Sequence, residues 1–362
     1  MTQTIHQFVP NFASGDAIGT HVRHSQRVLR DAGFRSEIFY DEAQASVKKL
    51  GRHWSQFDRA RDGEDGRAWI LFQLSTGSAM TDAVLELDLP YGVYFHNVTP
   101  PSFFERWEPG AAENLRRALH DVRRLAPRSR FALANSRFSE QTLVEVGYSP
   151  TEVVPVLFDY AELHDAPNAK VLARLRRDEG TRVLFIGRVA PNKCQHDLIA
   201  AVAAYREVFD ATARLTLVGG RTSNVYYRSL EVLADELGVA DSVELTDSIP
   251  DDEKLAYWQA ADVYLNLSEH EGFTVPLVEA MHLGVPIVAF ASSAVSETLG
   301  DAGILLTDKD PVVVAAAIDR VVRDEALRKE LVDAGYERAR TFAVEATGPV
   351  LVDAVKRAVA GG

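Results

Sequence analysis

Short apolar runs of β character alternate with segments of helical period along almost the whole chain. Ile5–Val9, Ser36–Tyr40, Ala68–Gln73, Val93–His96 and Arg130–Asn135 read as strands. Helical spacing fits between them at 19–32, 78–88, 109–126 and 137–147. The first of these helices carries Val22, Val28 and Leu29 on one side and stops before Gly33, a residue suited to the left-handed position past a helix end. The pattern then resets. Arg182–Ile186, Arg214–Val218, Ser242–Thr246, Val263–Leu267 and Pro286–Ala289 read as strands, with helices at 194–207, 224–237, 252–260 and 275–283. From residue 310 onward the chain is helical to about 359. Two blocks of alternating strand and helix predict two doubly wound, mostly parallel α/β sheets.

The stretch Pro155–Gly180 marks the boundary, with the turn-forming run 164–170 and then an arginine-rich helix. The expected organisation is therefore 1–160, 161–340 and a final helix at 341–362. The polar segment 41–67, which contains RARDGEDGR, reads as a mobile excursion from the first block. A length of 362 residues agrees with two cores rather than one. The net charge of −13 argues against general nucleic-acid binding, which needs a basic face. The one cysteine, Cys194, leaves no internal disulfide and points to a reducing compartment. The N-terminal residues lack the basic and apolar regions of a signal peptide, and no apolar run reaches the roughly 20 residues of a membrane span. A cytoplasmic protein is the expectation.

The run Ser268–Phe290, SEHEGFTVPLVEAMHLGVPIVAF, places Glu271 and Glu279 on either side of Gly272 and Pro276. Gly and Pro open helices rather than fill them, so a helix starting near Thr274–Pro276 puts Glu271 on the strand-to-helix loop and Glu279 one turn inside. Ligands of doubly wound sheets sit at this place, beyond the C-terminal ends of strands. The helix N-terminus suits a phosphate, and an ionised carboxylate can accept from two adjacent hydroxyls. The run therefore reads as a clamp for a nucleotide sugar, although a solvated helix acid and an ordinary turn explain Glu279 and Gly272 taken singly. A second piece, FIGRVAPNKCQHDLIAA, sets Gly187 and Arg188 at a strand end and Lys193 at the next helix start. Two cations on strand-end loops suit a diphosphate. Glu269 reads as a solvated loop acid, and Asp308-Lys309-Asp310 as a turn and helix cap rather than a metal site.

The order G-R-x4-K, then V-G-G, then E-x-F-x-x-P-x-x-E-A-M-x-x-G-x-P-x-V resembles the retaining glycosyltransferases of family 4, which have the GT-B fold: two Rossmann-like domains facing a central cleft. The resemblance runs over the whole chain and is most specific in 183–306. YFHNVTPPSFF (94–104), LANSRFSEQTLVEVGY (133–148) and SETLGDAGIL (296–305) resemble a subset linked to bacterial polysaccharide assembly, including O-antigen mannosyltransferases.

That resemblance implies an N-terminal acceptor domain, a C-terminal donor domain and a last helix crossing back to the first. It implies that Arg188 and Lys193 hold the donor pyrophosphate, and that Glu271 meets the transferred sugar beside Gly272 and Phe273. Thr274, Val275 and Leu277 would lie at phosphate, with Gly187 beside them, and Glu279 at the ribose. His96 would be the active-site histidine, with a packed histidine as the plain alternative. Gly19 would belong to a glycine loop, 14–20, where Ile18 departs from a second glycine. Arg221, Ser248 and Ile249 are the base-contact candidates. The implied reaction moves a hexose from a UDP- or GDP-sugar to an acceptor hydroxyl with retention, with no metal and no cofactor. The wording around SEHEGF and ETLGDAG leans toward GDP-mannose.

The competing readings are a nucleotide-sugar epimerase on the same fold and a silent nucleotide-sugar binder. Leu115–Arg137 holds seven arginines and one acid, Asp121, a charge of +6. The helix 109–126 is thus either an ordinary surface helix or a basic face for the inner membrane surface or a lipid-linked acceptor.

Overall fold

The computed structural model describes residues 3–63, 67–163 and 165–360. The chain divides into two compact units: Met1–Ser102 with Gly110–Asp159 and Phe342–Gly362, and Phe103–Pro109 with Tyr160–Thr341. The short piece Phe103–Pro109 thus groups with the second unit, away from its sequence neighbours.

Unit 1 is built on a seven-stranded parallel sheet. Its strands are β1 (Ile5–Phe12), β2 (Ile38–Ala43), β3 (Arg52–His53), β4 (Trp69–Leu74), β5 (Tyr91–Phe95), β6 (Ala132–Ala134) and β7 (Thr151–Val153). They lie in the order β3-β2-β1-β4-β5-β6-β7. Helices α1 (Ala17–Asp31), α2 (Met80–Glu86), α3 (Pro109–Leu125) and α4 (Arg137–Val146) connect them. Every residue of β4 is buried, as a strand covered on both faces requires. Gln7 and Gln73 are buried polar exceptions in this apolar layer.

Unit 2 has six parallel strands, β8 (Arg182–Ile186), β9 (Arg214–Val218), β10 (Val243–Leu245), β11 (Val263–Asn266), β12 (Ile287–Phe290) and β13 (Ile304–Leu306). Their order is β10-β9-β8-β11-β12-β13. The helices are α5 (Ala169–Leu175), α6 (Gln195–Val208), α7 (Asn224–Glu236), α8 (Asp251–Ala260), α9 (Val275–Leu283), α10 (Val295–Leu299), α11 (Pro311–Arg323) and α12 (Glu325–Arg340). From β8 the chain winds one way through β9 and β10, then the other way through β11 to β13. The reversal between β8 and β11 leaves a crevice at their C-terminal ends, the usual ligand position in such sheets. The final helix, α13 (Val344–Ala360), belongs to unit 1. Gly348 lets it approach Val28 of α1, and Arg357 pairs with Glu152 at 2.6 Å.

Several expectations change. β3, β7 and β13 are absent from the sequence reading, because two or three residues carry no detectable period. Segment 41–67 is tied down in its described part, not a loose excursion. The Asp62 carboxylate, 1% exposed, takes hydrogen bonds from Arg52 at 2.9 Å, Arg61 at 2.9 Å and the Asp58 amide at 3.0 Å. Burial by itself would raise its pKa, but the Arg61 and Arg52 hydrogen bonds prevail and hold it well below the usual carboxylate range. Residues 64–66 lie outside the described part.

The basic helix also reads differently. Arg124 bonds Asp82 at 2.7 Å and Asp121 at 3.2 Å, Arg128 bonds Asp88 at 2.9 Å, and Arg116 bonds Glu113 at 3.1 Å. Acids on α2 and the turn after it thus pair with part of the stripe, at Arg124 and Arg128. Among the described residues no helix is long and apolar enough to cross a membrane.

Asp62→Asn is expected to destabilise unit 1 by about 2 kcal/mol, a discounted value because both arginines are partly exposed. That is a fall of roughly 5 °C in Tm by calorimetry at pH 7. A depressed folded pKa stabilises fully above the unfolded value near ~3.9 and ceases to do so as pH falls toward the folded value. The gap between wild type and variant should therefore narrow below about pH 4.

Candidate functional site

Unit 2 gathers its candidate residues on the loops that follow β8, β9, β10 and β11. These loops are laced by main-chain bonds: Gly187 N–H to Val218 O at 2.9 Å, Val189 N–H to Gly220 O at 2.9 Å and Gly219 N–H to Asp247 O at 3.0 Å. Gly219 has φ +150°, and a Cβ there would stand 2.1 Å from the Gly187 carbonyl oxygen, so only glycine lets the two loops meet.

At the switch point, the loop after β8 clasps the loop after β11. The Glu269 amide donates to Asn192 O at 2.9 Å, and Asn192 Nδ2 donates to His270 O at 3.0 Å. Lys193 Nζ lies 2.6 Å from Glu271 Oε2, with both side chains largely buried. The Glu271 amide donates to Ser293 Oγ at 2.7 Å, which fixes the loop from the β12 side. Beside this pair, burial drives the His270 pKa down to about 4, so the ring is neutral. Arg188 is exposed and has no ion-pair partner among the described residues. Its carbonyl accepts from Gln195 Nε2 at 2.9 Å, which holds the backbone and leaves the guanidinium for a ligand.

Helix α9 begins at Val275 with Pro276 next, a position where the missing N–H costs nothing. Its first turn contains no acid, so its positive end is not cancelled from within. Thr274, the residue before it, has φ +79°, a strained value for a β-branched side chain. Asn266 Nδ2, Ser268 Oγ and Thr274 Oγ1 are buried without a hydrogen-bond partner among the described residues. One strained residue and three buried polar atoms without a partner among the described residues thus fall along one strand-to-helix turn. Leu277 is fully buried and Phe273 nearly so, which places both side chains in the packing beneath the turn. Glu279 is buried and lies 3.3 Å from Lys254 of α8. Burial alone would lower the Lys254 pKa, but Glu279 and Asp251 more than offset it and keep the ammonium charged.

Several expected residues have protein partners of their own. Asp247 takes one edge of the Arg221 guanidinium, and Tyr227 lies under one face at 3.7 Å. Ser248 is exposed and Ile249 half-buried on the same loop. Glu269 is not merely solvated, because Lys309 bridges it at 2.7 Å to Asp197 at 2.6 Å. Gly19 is a packing glycine, since a Cβ there would collide with the Ala13 carbonyl oxygen at 1.9 Å. Asp310 caps α11 through the Val312 and Val313 amides, as a turn and cap should. Cys194, His196 and Asp197 have ligand atoms within 4.8 Å of one another. Each already has protein partners: Pro191 O for the thiol, Tyr226 for His196 and Lys309 for Asp197.

His96 lies in unit 1, just past β5, with its amide on Leu74 O at 2.9 Å and its Nε2 2.8 Å from Gln73 Oε1. Desolvation brings its pKa down to about 3, so it is neutral at physiological pH. Lys254, Lys309, Asn192 and Ser293 were not legible beforehand, because each reaches its partner from a separate strand-end loop or helix that no spacing rule connects.

Residues 172–338, which lie within unit 2, match the family described as "Glycosyl transferases group 1". A D-inositol 3-phosphate glycosyltransferase of Salinispora tropica is 32% identical over 206 residues, covering 54% of this chain and 43% of that protein. Its namesake from Corynebacterium glutamicum is 30% identical over 208 residues, covering 55% and 50%. The chain thus spans about half the length of the curated relatives it matches. They carry that inositol-phosphate name, not that of polysaccharide mannosyltransferases.

Among solved structures, Anabaena HepE in complex with UDP-glucose superposes with a TM-score of 0.77 at 18% identity, over 98% of this chain and 99% of that one. Sucrose-phosphate synthase from Thermosynechococcus elongatus gives 0.77 at 20% identity, over 99% and 100%. The fold is therefore GT-B, with two Rossmann-like units.

Thr274→Gly removes a β-branched residue from a left-handed conformation. The variant is expected to be more stable by about 1 kcal/mol, read as a rise of a few degrees in Tm. A lower Tm would show that the Thr274 backbone is not strained.

Proposed function

We propose that this chain is a retaining, metal-independent glycosyltransferase that moves a hexose from a nucleoside-diphosphate sugar to an acceptor hydroxyl. The observation that carries the reading is the switch-point arrangement of unit 2. An unpaired Arg188, the Lys193–Glu271 pair and the positive end of α9 come from loops at the C-terminal ends of β8 and β11. The group 1 glycosyl transferase match over 172–338 supports the same reading.

Departure of a nucleoside diphosphate from an anomeric carbon moves negative charge onto the β-phosphate. Arg188 and Lys193 stabilise that charge as it develops, and the α9 N-terminus adds its partial positive charge. Fixed cations supply the neutralisation for which other transferases use a divalent ion, so chelation leaves turnover intact. Glu271 holds Lys193 in place and accepts hydrogen bonds from sugar hydroxyls through its other oxygen. Glu279, paired with Lys254, accepts from both ribose hydroxyls. With no second carboxylate assigned as a nucleophile, the leaving phosphate receives the acceptor proton on the face it vacates, which gives retention. Uridine is the base favoured, because the HepE structure holds UDP-glucose, and GDP-sugars are the comparison arm. The acceptor class follows the relatives' name, a polyol such as D-inositol 3-phosphate.

The test is product formation from UDP-glucose or GDP-mannose with polyol acceptors in EDTA, with the anomeric configuration read by proton NMR. Arg188→Met should lower kcat/KM about 100-fold. Glu279→Ala should raise the donor KM on the order of 10-fold with kcat little changed. Inverted product, or turnover abolished by EDTA and restored by a divalent ion, would overturn the mechanism.

A further inference from the structure

The buried glutamines of unit 1 form a directed chain that ends on His96. Gln7 sits on β1, Gln73 on β4 and His96 just past β5, three neighbouring strands. Both glutamines are fully buried and His96 is 8% exposed. Gln7 Nε2 lies 2.9 Å from the Val22 carbonyl oxygen of α1. A carbonyl oxygen can only accept, so the Gln7 amide must turn its NH2 group toward it. Gln7 Oε1 then faces Gln73, which must present its own NH2 group, at 2.9 Å. Gln73 Oε1 is left facing His96 Nε2 at 2.8 Å. An amide oxygen only accepts, so that ring nitrogen must carry the hydrogen.

One backbone acceptor thus sets the polarity of the whole series. We propose that Gln73 and Gln7 are positioning residues that hold His96 as the neutral Nε2–H tautomer, leaving Nδ1 to accept a hydrogen bond from a substrate hydroxyl. The second half of that statement rests on the reading of His96 as a substrate contact, and the first half does not.

The surroundings agree. Tyr94 and His21 face the ring, with centroids at 4.6 and 5.2 Å. Tyr94 donates its hydroxyl to Val154 O at 2.6 Å. His21 is pinned as well: its Nδ1 accepts from the Leu157 amide at 3.1 Å, so its Nε2–H points to Ser25 Oγ. Burial lowers the pKa of both histidines. A neutral acceptor nitrogen suits a sugar or polyol hydroxyl, whereas a cation would suit a phosphate. The alternative is that the two glutamines only satisfy each other inside the sheet, with His96 free to change tautomer.

The test is long-range proton–nitrogen NMR of the 15N-labelled full chain at pH 7.5, with His96 assigned by the signal lost in His96→Asn. The expected spectrum has Nε2 protonated, Nδ1 bare and no titration down to pH 5. In Gln73→Met the signal should become a mixture of tautomers. Transfer kcat should fall on the order of 10-fold while the donor KM moves less than about twofold, a split that a general packing defect would not give. In Gln7→Glu the new carboxyl still accepts from Gln73, so the Nε2–H tautomer should persist. This arm, with the wild-type spectrum, decides the matter if Gln73→Met does not fold. An Nδ1–H or cationic His96 in the wild type, or an unchanged tautomer in folded Gln73→Met, would overturn the proposal. If the spectra hold but no transfer is found with any donor, the relay stands and the transferase reading is what fails.

Discussion

The buried pair between Lys193 and Glu271, 2.6 Å apart, is the constraint around which unit 2 is arranged. Removing two charges from water costs several kcal/mol per ion, and mutual attraction repays that only with good geometry and further hydrogen bonds. The main chain around the pair is fixed by Asn192, which donates to His270 O, and by Ser293, which accepts from the Glu271 amide. A packed apolar pair would hold the two loops together at least as well. The charged pair is better explained by what it leaves at the switch point: an ammonium and a carboxylate in fixed positions, beside the unpaired guanidinium of Arg188. The same logic recurs at Lys254 and Glu279, where a buried carboxylate is paired with a lysine from the preceding helix.

Unit 1 solves a different problem with neutral groups. Its central strands β4 and β5 are buried along their whole length, so every polar side chain among them needs a partner. Gln7, Gln73 and His96 satisfy one another in series, and His21 is held by the Leu157 amide. Neutral amides and imidazoles avoid the desolvation cost of charge, and their donors and acceptors can be ordered from one fixed carbonyl. Unit 2 therefore presents charges suited to a phosphate, and unit 1 an uncharged acceptor suited to a hydroxyl.

The two-block α/β architecture was legible because fully buried parallel strands appear as apolar runs separated by helical periods. The stretch from Ser268 to Phe290 was legible because Gly272 and Pro276 punctuate it where a strand gives way to a helix. Lys254 was invisible as the partner of Glu279, since the two lie on separate helices. The Asp247–Arg221 pair was invisible too, because the two lie on different strand-end loops. The partners of the arginine-rich segment were not legible because Asp82 and Asp88 precede it by some 30 to 40 residues, outside any local charge count. Segment 41–67 looked loose because its anchors, the two-residue strand β3 and the buried Asp62, have no sequence signature.

The most direct measurement is calorimetric titration of the full chain with UDP, GDP and ADP in EDTA, for the wild type and for Arg188→Met and Glu279→Ala. Metal-free binding of one nucleoside diphosphate, weakened about 10-fold or more by either substitution, is the result that the switch-point geometry predicts. Binding that needs a divalent ion, that is indifferent to both substitutions, or that occurs with none of the three nucleotides would contradict it.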